Sequence, residues 1–254
     1  PGYVESTFKA TRIMNGHSIE NIAPGELVFR ISHRFGRLNE GVYELFGLDQ
    51  AIIHFSLEYG VTPWLTAGIG RSNFKKTYDG YLKFRVVRQS NHFPLHVSYF
   101  ASTETFTQRN ANIDYEFRHR LGFVHQALIA RKFNNRLSLQ VTPTFVHQNL
   151  TGSPETENDL LSVGVGGRIK ITNRLTLNAE AFLADYENYS NRELHIPLAI
   201  GVDLETGGHV FQLMITNAQA MREVGFLTET TGNWLDGDLH FGFNISRVFN
   251  IVDY

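Results

Sequence analysis

The chain has 254 residues, with 23 lysine or arginine residues, 25 aspartate or glutamate residues and a formal net charge of −2. This balance excludes a protein that binds nucleic acid through bulk positive charge. The absence of cysteine excludes disulfide scaffolds, cysteine-ligated metal centres and cysteine nucleophiles. No apolar run approaches the length of about 20 residues that a transmembrane helix needs. A helical membrane protein is therefore excluded, whereas a membrane β-barrel is not.

The first 25 residues do not alternate between apolar and polar side chains. They include the apolar residues Phe8, Ile13 and Ile19, and they end at a Pro24-Gly25 turn signal. A free, solvated tail is usually poorer in apolar residues. The sequence therefore predicts an ordered N-terminal arm, residues 1–25, ahead of the first strand.

From residue 26 onward, apolar and polar residues alternate with a period of two, which is typical of strands with one apolar and one polar face. In residues 239–246, for example, leucine, phenylalanine and isoleucine alternate with histidine, glycine, asparagine and serine. The pattern predicts an all-β fold of about twelve strands. The predicted strands are residues 26–35, 51–60, 64–73, 77–88, 95–106, 118–132, 136–148, 160–171, 174–185, 195–205, 209–217 and 238–250.

The connections between these strands alternate between short and long along the chain. The short ones, such as Asn134-Asn135 and residues 206–208, are rich in Asn and Gly, which tolerate a positive φ. The others are mostly longer, up to residues 218–237, and only residues 73–76 break the rule. This pattern is typical of short periplasmic turns and longer outer loops. It predicts a single closed antiparallel up-and-down transmembrane β-barrel, residues 26–254, with the arm in or against its periplasmic mouth.

A soluble β-sandwich would bury the same apolar residues in its core. The predicted strands are about ten residues long, closer to the membrane requirement than to the usual five or six. Pro143 in the seventh strand lacks an N–H group for the ladder, so we expect a β-bulge there. The residues expected to face lipid in the first and last strands are Leu27, Phe29, Ile31, Leu239, Phe241 and Phe243.

The polar strand face should line the lumen, because Lys or Arg on the lipid face costs about 2–4 kcal/mol at mid-depth. The lumen of a twelve-stranded barrel is moderate in width and readily filled by long side chains. Two interpretations stay open: a narrow, slightly basic passage, or mutually paired charges that plug the interior. The predicted lumen-lining residues are Arg30, Ser56, Glu58, Lys83, Arg85, His96, Arg168, Glu180, His240 and Asn244.

Sequence motifs for hydrolases, zinc enzymes, phosphate loops and EF-hands are absent. A membrane-embedded hydrolase would need a Ser–His pair, but Ser98 and His96 lie about 7 Å apart on one strand face. No catalytic residue, metal or cofactor is therefore predicted. The candidates for a loop calcium site, for which solvation is the simpler explanation, are Asp185, Glu187 and Asn188 in one loop and Glu155, Glu157 and Asp159 in another.

Several motifs lie mainly within residues 10–90 of the chain. They are PGEL at residues 24–27, ISHRFG at 31–36, FGLDQ at 46–50, EYG at 58–60, GIGRS at 68–72 and KTYDGYLK at 76–83. These motifs resemble those of a family of outer-membrane β-barrels from Bacteroidota that is catalogued as a domain of unknown function. The resemblance implies a barrel in the outer membrane of a Gram-negative bacterium. It carries no established activity, catalytic residue or cofactor.

These observations predict a non-enzymatic outer-membrane β-barrel with a narrow or plugged polar lumen. Its first candidate function is passage of small polar or anionic solutes. The second is that of an accessory or scaffold subunit in a larger outer-membrane complex, in which the arm and the long last loop would take part. A membrane-embedded hydrolase is the third. The expected partners are outer-membrane lipid and lipopolysaccharide and, for the second function, other outer-membrane or periplasmic proteins, but no nucleic acid.

Overall fold

The computed structural model of the chain describes residues 2–109, 115–151, 156–187, 189 and 193–252. Successive strands pair antiparallel, and the first strand pairs with the last, so that the sheet closes into a barrel. The strands are β1 (Glu26–Arg37), β2 (Ala51–Thr62), β3 (Leu65–Ser72), β4 (Thr77–Val87), β5 (His96–Phe106), β6 (Leu121–Lys132), β7 (Leu137–Gln148), β8 (Asp159–Lys170), β9 (Leu175–Ala184), β10 (Leu198–Thr206), β11 (His209–Thr216) and β12 (His240–Asn250).

The predicted closed up-and-down barrel is confirmed, and every strand boundary lies within three residues of its predicted position. The cause is the period-two pattern, which places alternate side chains on opposite faces of the wall. In β7 the odd-numbered residues Leu139 and Val141 are exposed on the outer surface, whereas the even-numbered Gln140 and Thr142 are buried inside. Closure leaves no unpaired strand edge.

The bulge expected at Pro143 was wrong. The β6–β7 register continues without a shift from Gln126↔Thr144 to Ile129↔Val141, and Pro143 itself pairs with Val163 of β8. Proline lacks only one ladder donor, whereas a one-residue shift would move the following side chains to the wrong face. The barrel therefore keeps its register.

The barrel has two unlike ends, which we call the turn end and the loop end. The turn end carries the short connections, residues 63–64, 88–95, 133–136, 171–174 and 207–208. The loop end carries residues 38–50, 73–76, 107–120, 149–158, 185–197 and 217–239. Its short helical segments are the 3-10 turns Leu38–Glu40, Leu45–Gly47, Phe74–Lys76 and Phe117–Arg120 and the α-helix α1 (Glu223–Thr228). Within the described residues, no helix has the length and apolar character to cross a bilayer.

The apolar interior of the molecule lies inside the barrel, and two inserted segments build it. From the arm, Phe8, Ile13 and Ile19 pack against Tyr81 and Phe100 of the wall. From the last loop, residues of α1 pack against the loop-end half of β6 to β9. Every residue of α1 is buried. The lumen is therefore filled from both ends.

Candidate functional site in the barrel lumen

The N-terminal arm enters the barrel at the turn end. There the Val4 main-chain N–H donates to the carbonyl oxygen of Gln89 at 2.9 Å. Lys9 Nζ donates to the carbonyl oxygen of Asn173 at 2.8 Å and forms an ion pair with Glu205. These contacts involve the short connections, so the arm is attached to the rim before it passes inside.

Residues 11–18 of the arm form a tight hairpin within the lumen. Ser18 N–H donates to the Thr11 carbonyl and Ile13 N–H to the Gly16 carbonyl, both at 2.9 Å. An Asn-Gly pair at residues 15–16 favours such a turn, and it is the sequence signal that could have predicted the hairpin. At the tip, Met14 is fully buried in the loop-end half of the barrel. The arm therefore reaches well beyond the periplasmic mouth where the sequence analysis placed it.

Inward-facing amide side chains hold the hairpin through its main chain. Gln140 Nε2 donates to the carbonyl of His17 at 2.8 Å, and Gln212 Nε2 donates to that of Ile13 at 2.9 Å. Asn244 Nδ2 donates to the carbonyl of Met14 at 3.0 Å. Such contacts satisfy buried carbonyls that would otherwise lose their hydrogen bonds to water.

Glu180 of β9 also binds the hairpin tip. Its Oε1 accepts hydrogen bonds from the main-chain N–H groups of Asn15 at 2.5 Å and Gly16 at 3.2 Å. Lys83 Nζ donates to the carbonyl of Ser18 at 3.1 Å. Hydrogen bonds to charged groups are about twice as strong as neutral ones, so two of the predicted lumen residues anchor the arm.

A buried ion pair on β1 and β2 attaches the arm to the wall. Arg30 Nε lies 3.0 Å from Glu58 Oε1, and both residues are 1% exposed. Thr11 Oγ1 of the arm donates to Glu58 Oε2 at 2.6 Å, and Arg30 also donates to Thr11. Ser56 Oγ donates to the same carboxylate at 3.2 Å. The arm thus becomes part of a single hydrogen-bonded cluster.

The two inserted segments are also joined to each other. Arg12 Nη1 of the arm lies 2.8 Å from Glu223 Oε1 of the last loop, and both side chains are almost completely buried. The preceding loop residue, Arg222, pairs through Nη1 with Glu104 Oε2 of β5 at 2.5 Å. The loop therefore connects the arm to the wall, and neither segment can leave without breaking a buried ion pair.

Some buried polar groups of the lumen wall have no hydrogen-bond partner in the arm. The turn-end half of β5, β7 and β8 carries buried polar atoms that form no hydrogen bond with any described residue. Leaving such a group unpaired costs about 1–3 kcal/mol. The arm bonds to side chains of many strands, among them Glu58 of β2, Gln140 of β7 and Asn244 of β12, but it leaves these turn-end atoms in a lining suited to water. These atoms include Nδ1 and Nε2 of His96, Oγ of Ser98, Oγ of Ser138 and Nε of Arg168.

Nine of the ten predicted lumen residues are at most 6% exposed; the tenth, Arg85, is partly buried at the turn end and donates to the Pro63 carbonyl at 2.6 Å. The structure brings Arg30, Ser56 and Glu58 together. It leaves His240 separate, where Nδ1 contacts the Phe35 carbonyl at 2.9 Å. The functional residues that sequence reasoning missed are Thr11 and Glu223.

The other candidate chemistry is not assembled in the described residues. His96 and Ser98 form no hydrogen bond with each other. Asp185 Oδ1 accepts a hydrogen bond from the Glu187 main-chain N–H at 3.1 Å. No group of three metal-ligating side chains occurs in the described part of the chain. Glu155 and Asn188 lie outside the described residues.

His17 occupies a fully enclosed position beside the joint between the arm and the last loop. Its ring contacts the rings of Tyr81 and Phe100, with centroids 4.6 and 4.3 Å away. Its Nε2 lies 3.8 Å from Glu223 Oε1. Burial, followed by the positive charges of Arg12, Lys83 and Arg30, holds the pKa of His17 well below its ordinary value of 6.5.

We expect acid to weaken the seating of the arm. A released His17 would protonate near its ordinary pKa of about 6.5, whereas the seated one stays neutral. Below that pH the His17 contribution therefore favours release, by up to about 1.4 kcal/mol per pH unit. The chain has no cysteine, so a Met14→Cys variant reports arm release through maleimide labelling. His17→Gln should flatten the pH dependence, and an unchanged dependence would contradict this assignment.

Gly60 allows the arm to pass close to β2. A Cβ atom at this position would lie 2.0 Å from the Ala23 carbonyl oxygen, which belongs to the backbone of the arm. Gly60→Ala should therefore displace the arm and speed labelling of Met14→Cys, at a cost of about 1–3 kcal/mol. The control is Gly80→Ala, because its Cβ would meet nothing closer than 3.7 Å. Equal labelling of the two variants would refute this role of Gly60.

The family described as "Membrane bound beta barrel domain (DUF5777)" matches residues 8–249. Among solved structures, the outer-membrane channel COG4313 from Pseudomonas putida F1 superposes with a TM-score of 0.56 and 11% identity, covering 91% of this chain and 98% of that one. The NanC porin superposes with a TM-score of 0.54 and 8% identity, covering 89% and 100%. No curated protein matches the sequence. With nearly its whole length matched, the chain belongs to the DUF5777 family of membrane-bound β-barrel domains.

Proposed function

We propose that this protein is a non-enzymatic outer-membrane channel for small polar or anionic solutes, closed by its own N-terminal arm and last loop. The observation that carries the proposal is a group of buried polar atoms near the turn end of β5, β7 and β8. Among them, the ring nitrogens of His96 and the hydroxyl of Ser138 form no hydrogen bond with any described residue, the arm included. A wall built only to hold a permanent plug would lose stability through such groups. In an open lumen, water would satisfy them.

Similar structures support the same proposal. NanC and KdgM are named as porins and COG4313 as an outer-membrane channel. Their shared fold with this chain favours an outer-membrane location in a Gram-negative bacterium, surrounded by lipid and lipopolysaccharide. In that setting the turn end would face the periplasm and the loop end the exterior.

The charges inside the turn-end half favour anions. Lys83, Arg85 and Arg168 are cationic groups on the inner face, whereas Asp203 and Glu205 are acidic groups at a similar height. Glu58 is already neutralised by Arg30. A lumen lined mainly by one sign of charge concentrates solutes of the opposite sign.

The test is the reversal potential of an arm-free barrel across a KCl gradient. We expect it to indicate anion preference, and Lys83→Gln should reduce that preference. Lys76→Gln is the matched control, because Lys76 is exposed at the loop end outside the lumen. Cation preference, or an equal effect of both substitutions, would contradict the proposed selectivity.

A specific feature favours the accessory-subunit function as the second candidate. Val42, Tyr43 and Leu235 are 75%, 92% and 91% exposed at the loop end. The two loops that carry them are linked, since Asn39 Nδ2 donates to Asp238 Oδ1 at 2.7 Å. Exposed apolar groups of this kind mark protein or membrane contacts. A folded arm-free barrel that never conducts would favour this second function.

A further inference from the structure

A polar cavity of about 300 Å³ lies at the loop end, outside the region that the arm occupies. Its walls come from β4, β5 and β6, from neighbouring outer loops and from the last loop. It is partly enclosed and accessible from the loop end. Its volume is about ten times the share of one water molecule in the liquid, which suits a solute the size of a monosaccharide.

Two ion pairs neutralise the carboxylates that line this cavity. Glu104 Oε2 lies 2.5 Å from Arg222 Nη1, and Glu229 Oε2 lies 2.8 Å from Lys75 Nζ. Each pair joins the barrel side to the last loop. The charges of these four residues therefore cancel, and the pairs act as fixed polar walls.

Arg120 is the permanently charged residue of the lining that belongs to neither ion pair, and His119 lies beside it. Its Nε and Nη1 donate to the carbonyls of Tyr115 at 3.1 Å and Gln108 at 3.3 Å. Its guanidinium carbon lies 5.6 Å from the ring centre of Phe106 and 5.7 Å from that of Tyr115. Its charge is not matched by a carboxylate within the described residues. The group is held in place by carbonyls and rings, so its charge remains available to an anion.

The rest of the lining suits hydroxyl groups. Thr77, Gln148 and Tyr189 bring hydroxyl and amide groups to the walls, and Phe106 offers an apolar ring face. Tyr189 donates to Gln148 Oε1 at 2.5 Å, which leaves the amide Nε2 of Gln148 as a donor. Few precisely oriented polar groups beside an aromatic surface are typical of small-molecule sites.

We propose that this cavity binds a small hydroxylated carboxylate, with its carboxylate at Arg120 and its hydroxyl groups at Gln148 and the ion-paired walls. This binding does not require conduction, so the result of a binding experiment is independent of the proposed channel function. The neutral sugar of the same size would keep the hydroxyl contacts and lose the contact with Arg120. Discrimination between the two is therefore the signature of the site.

The experiment is calorimetric titration of the full chain in detergent micelles with D-glucuronate and with D-glucose. Glucuronate should bind at least tenfold more tightly, because a charge-assisted hydrogen bond contributes enough to change the dissociation constant by that factor. Arg120→Gln should remove the difference. Arg120→Lys, which retains the charge, should keep glucuronate preferred even if packing on the rings is lost.

The matched control is Arg118→Gln, two residues away in the same 3-10 turn. Arg118 is exposed, pairs with Glu116 at 2.7 Å and does not line the cavity. The Arg118→Gln variant should bind glucuronate with the same affinity as the unsubstituted chain. The proposal is overturned by equal binding of the two sugars, by no binding of glucuronate, or by equal losses in Arg118→Gln and Arg120→Gln.

Discussion

Removal of residues 3–22 is expected to convert a closed barrel into a conducting one. The deletion removes the buried apolar residues Phe8, Ile13 and Ile19 from the lumen. It also removes Arg12, which leaves Glu223 of the last loop as a buried carboxylate without that partner. Breaking a buried ion pair in this way costs about 3–5 kcal/mol, so the last loop should loosen as well. Planar-bilayer recordings should show sustained openings that the full chain lacks.

The conductance of the full and arm-free chains can be compared only if the arm-free barrel is folded, and a second variant that also shortens the last loop extends the comparison. Heat-dependent gel mobility and circular dichroism would verify that the arm-free chain still forms its β-barrel. Replacing residues 219–230 by a shorter linker in that chain should raise the conductance further, because α1 fills the loop-end half. If the arm-free barrel is folded and still shows no conductance, the arm does not close the channel and the channel proposal is wrong.

Glu58→Ala is expected to destabilise both the barrel and the seating of the arm. The substitution leaves Arg30 buried at 1% exposure without its ion-pair partner, and it removes the acceptor of the Thr11 hydroxyl. The free energy of unfolding should fall by about 3–5 kcal/mol. Urea titration of the protein in micelles measures this loss, and labelling of Met14→Cys measures the accompanying release of the arm.

Two further variants separate the ion pair from a general effect of losing a carboxylate. Glu44→Ala alters a partly exposed residue of the first outer loop, outside the cluster, and should change stability by less than about 0.5 kcal/mol. Glu58→Gln retains a hydrogen-bonding group and should lie between the other two. A loss in Glu58→Ala no larger than that in Glu44→Ala would show that the cluster does not hold the arm.

Barrel architecture could be read from the sequence because it depends on local, repeating information. Alternation in segments such as residues 239–246 assigns each side chain to the inner or outer face of the wall. The lengths of the connections distinguish the turn end from the loop end. The same alternation predicted an inward direction for residues such as Lys83 and Glu180, both of which are buried in the structure. Pro143 was the local exception. Although it lacks a backbone N–H group for the ladder, the strand keeps the register that places each side chain on its correct face.

The position of the N-terminal arm inside the barrel depends on tertiary contacts that the sequence does not reveal. Apolar residues such as Ile13 and the turn signal Asn15-Gly16 predict an ordered segment, but neither says which wall will receive it. The partners of the hairpin are Gln140, Gln212 and Asn244, which lie more than 120 residues further along the chain.

The sequence by itself therefore determined the strands, their faces, the closed wall and the composition of the lumen. Only the tertiary structure decided that Arg12 would pair with Glu223, a residue 211 positions away, and that Thr11 would join Arg30 and Glu58. The physical reason is that a strand face follows from a period of two along the chain. The partner of a buried charge depends on which groups closure of the barrel brings within a few ångströms, where pairing offsets the cost of removing that charge from water.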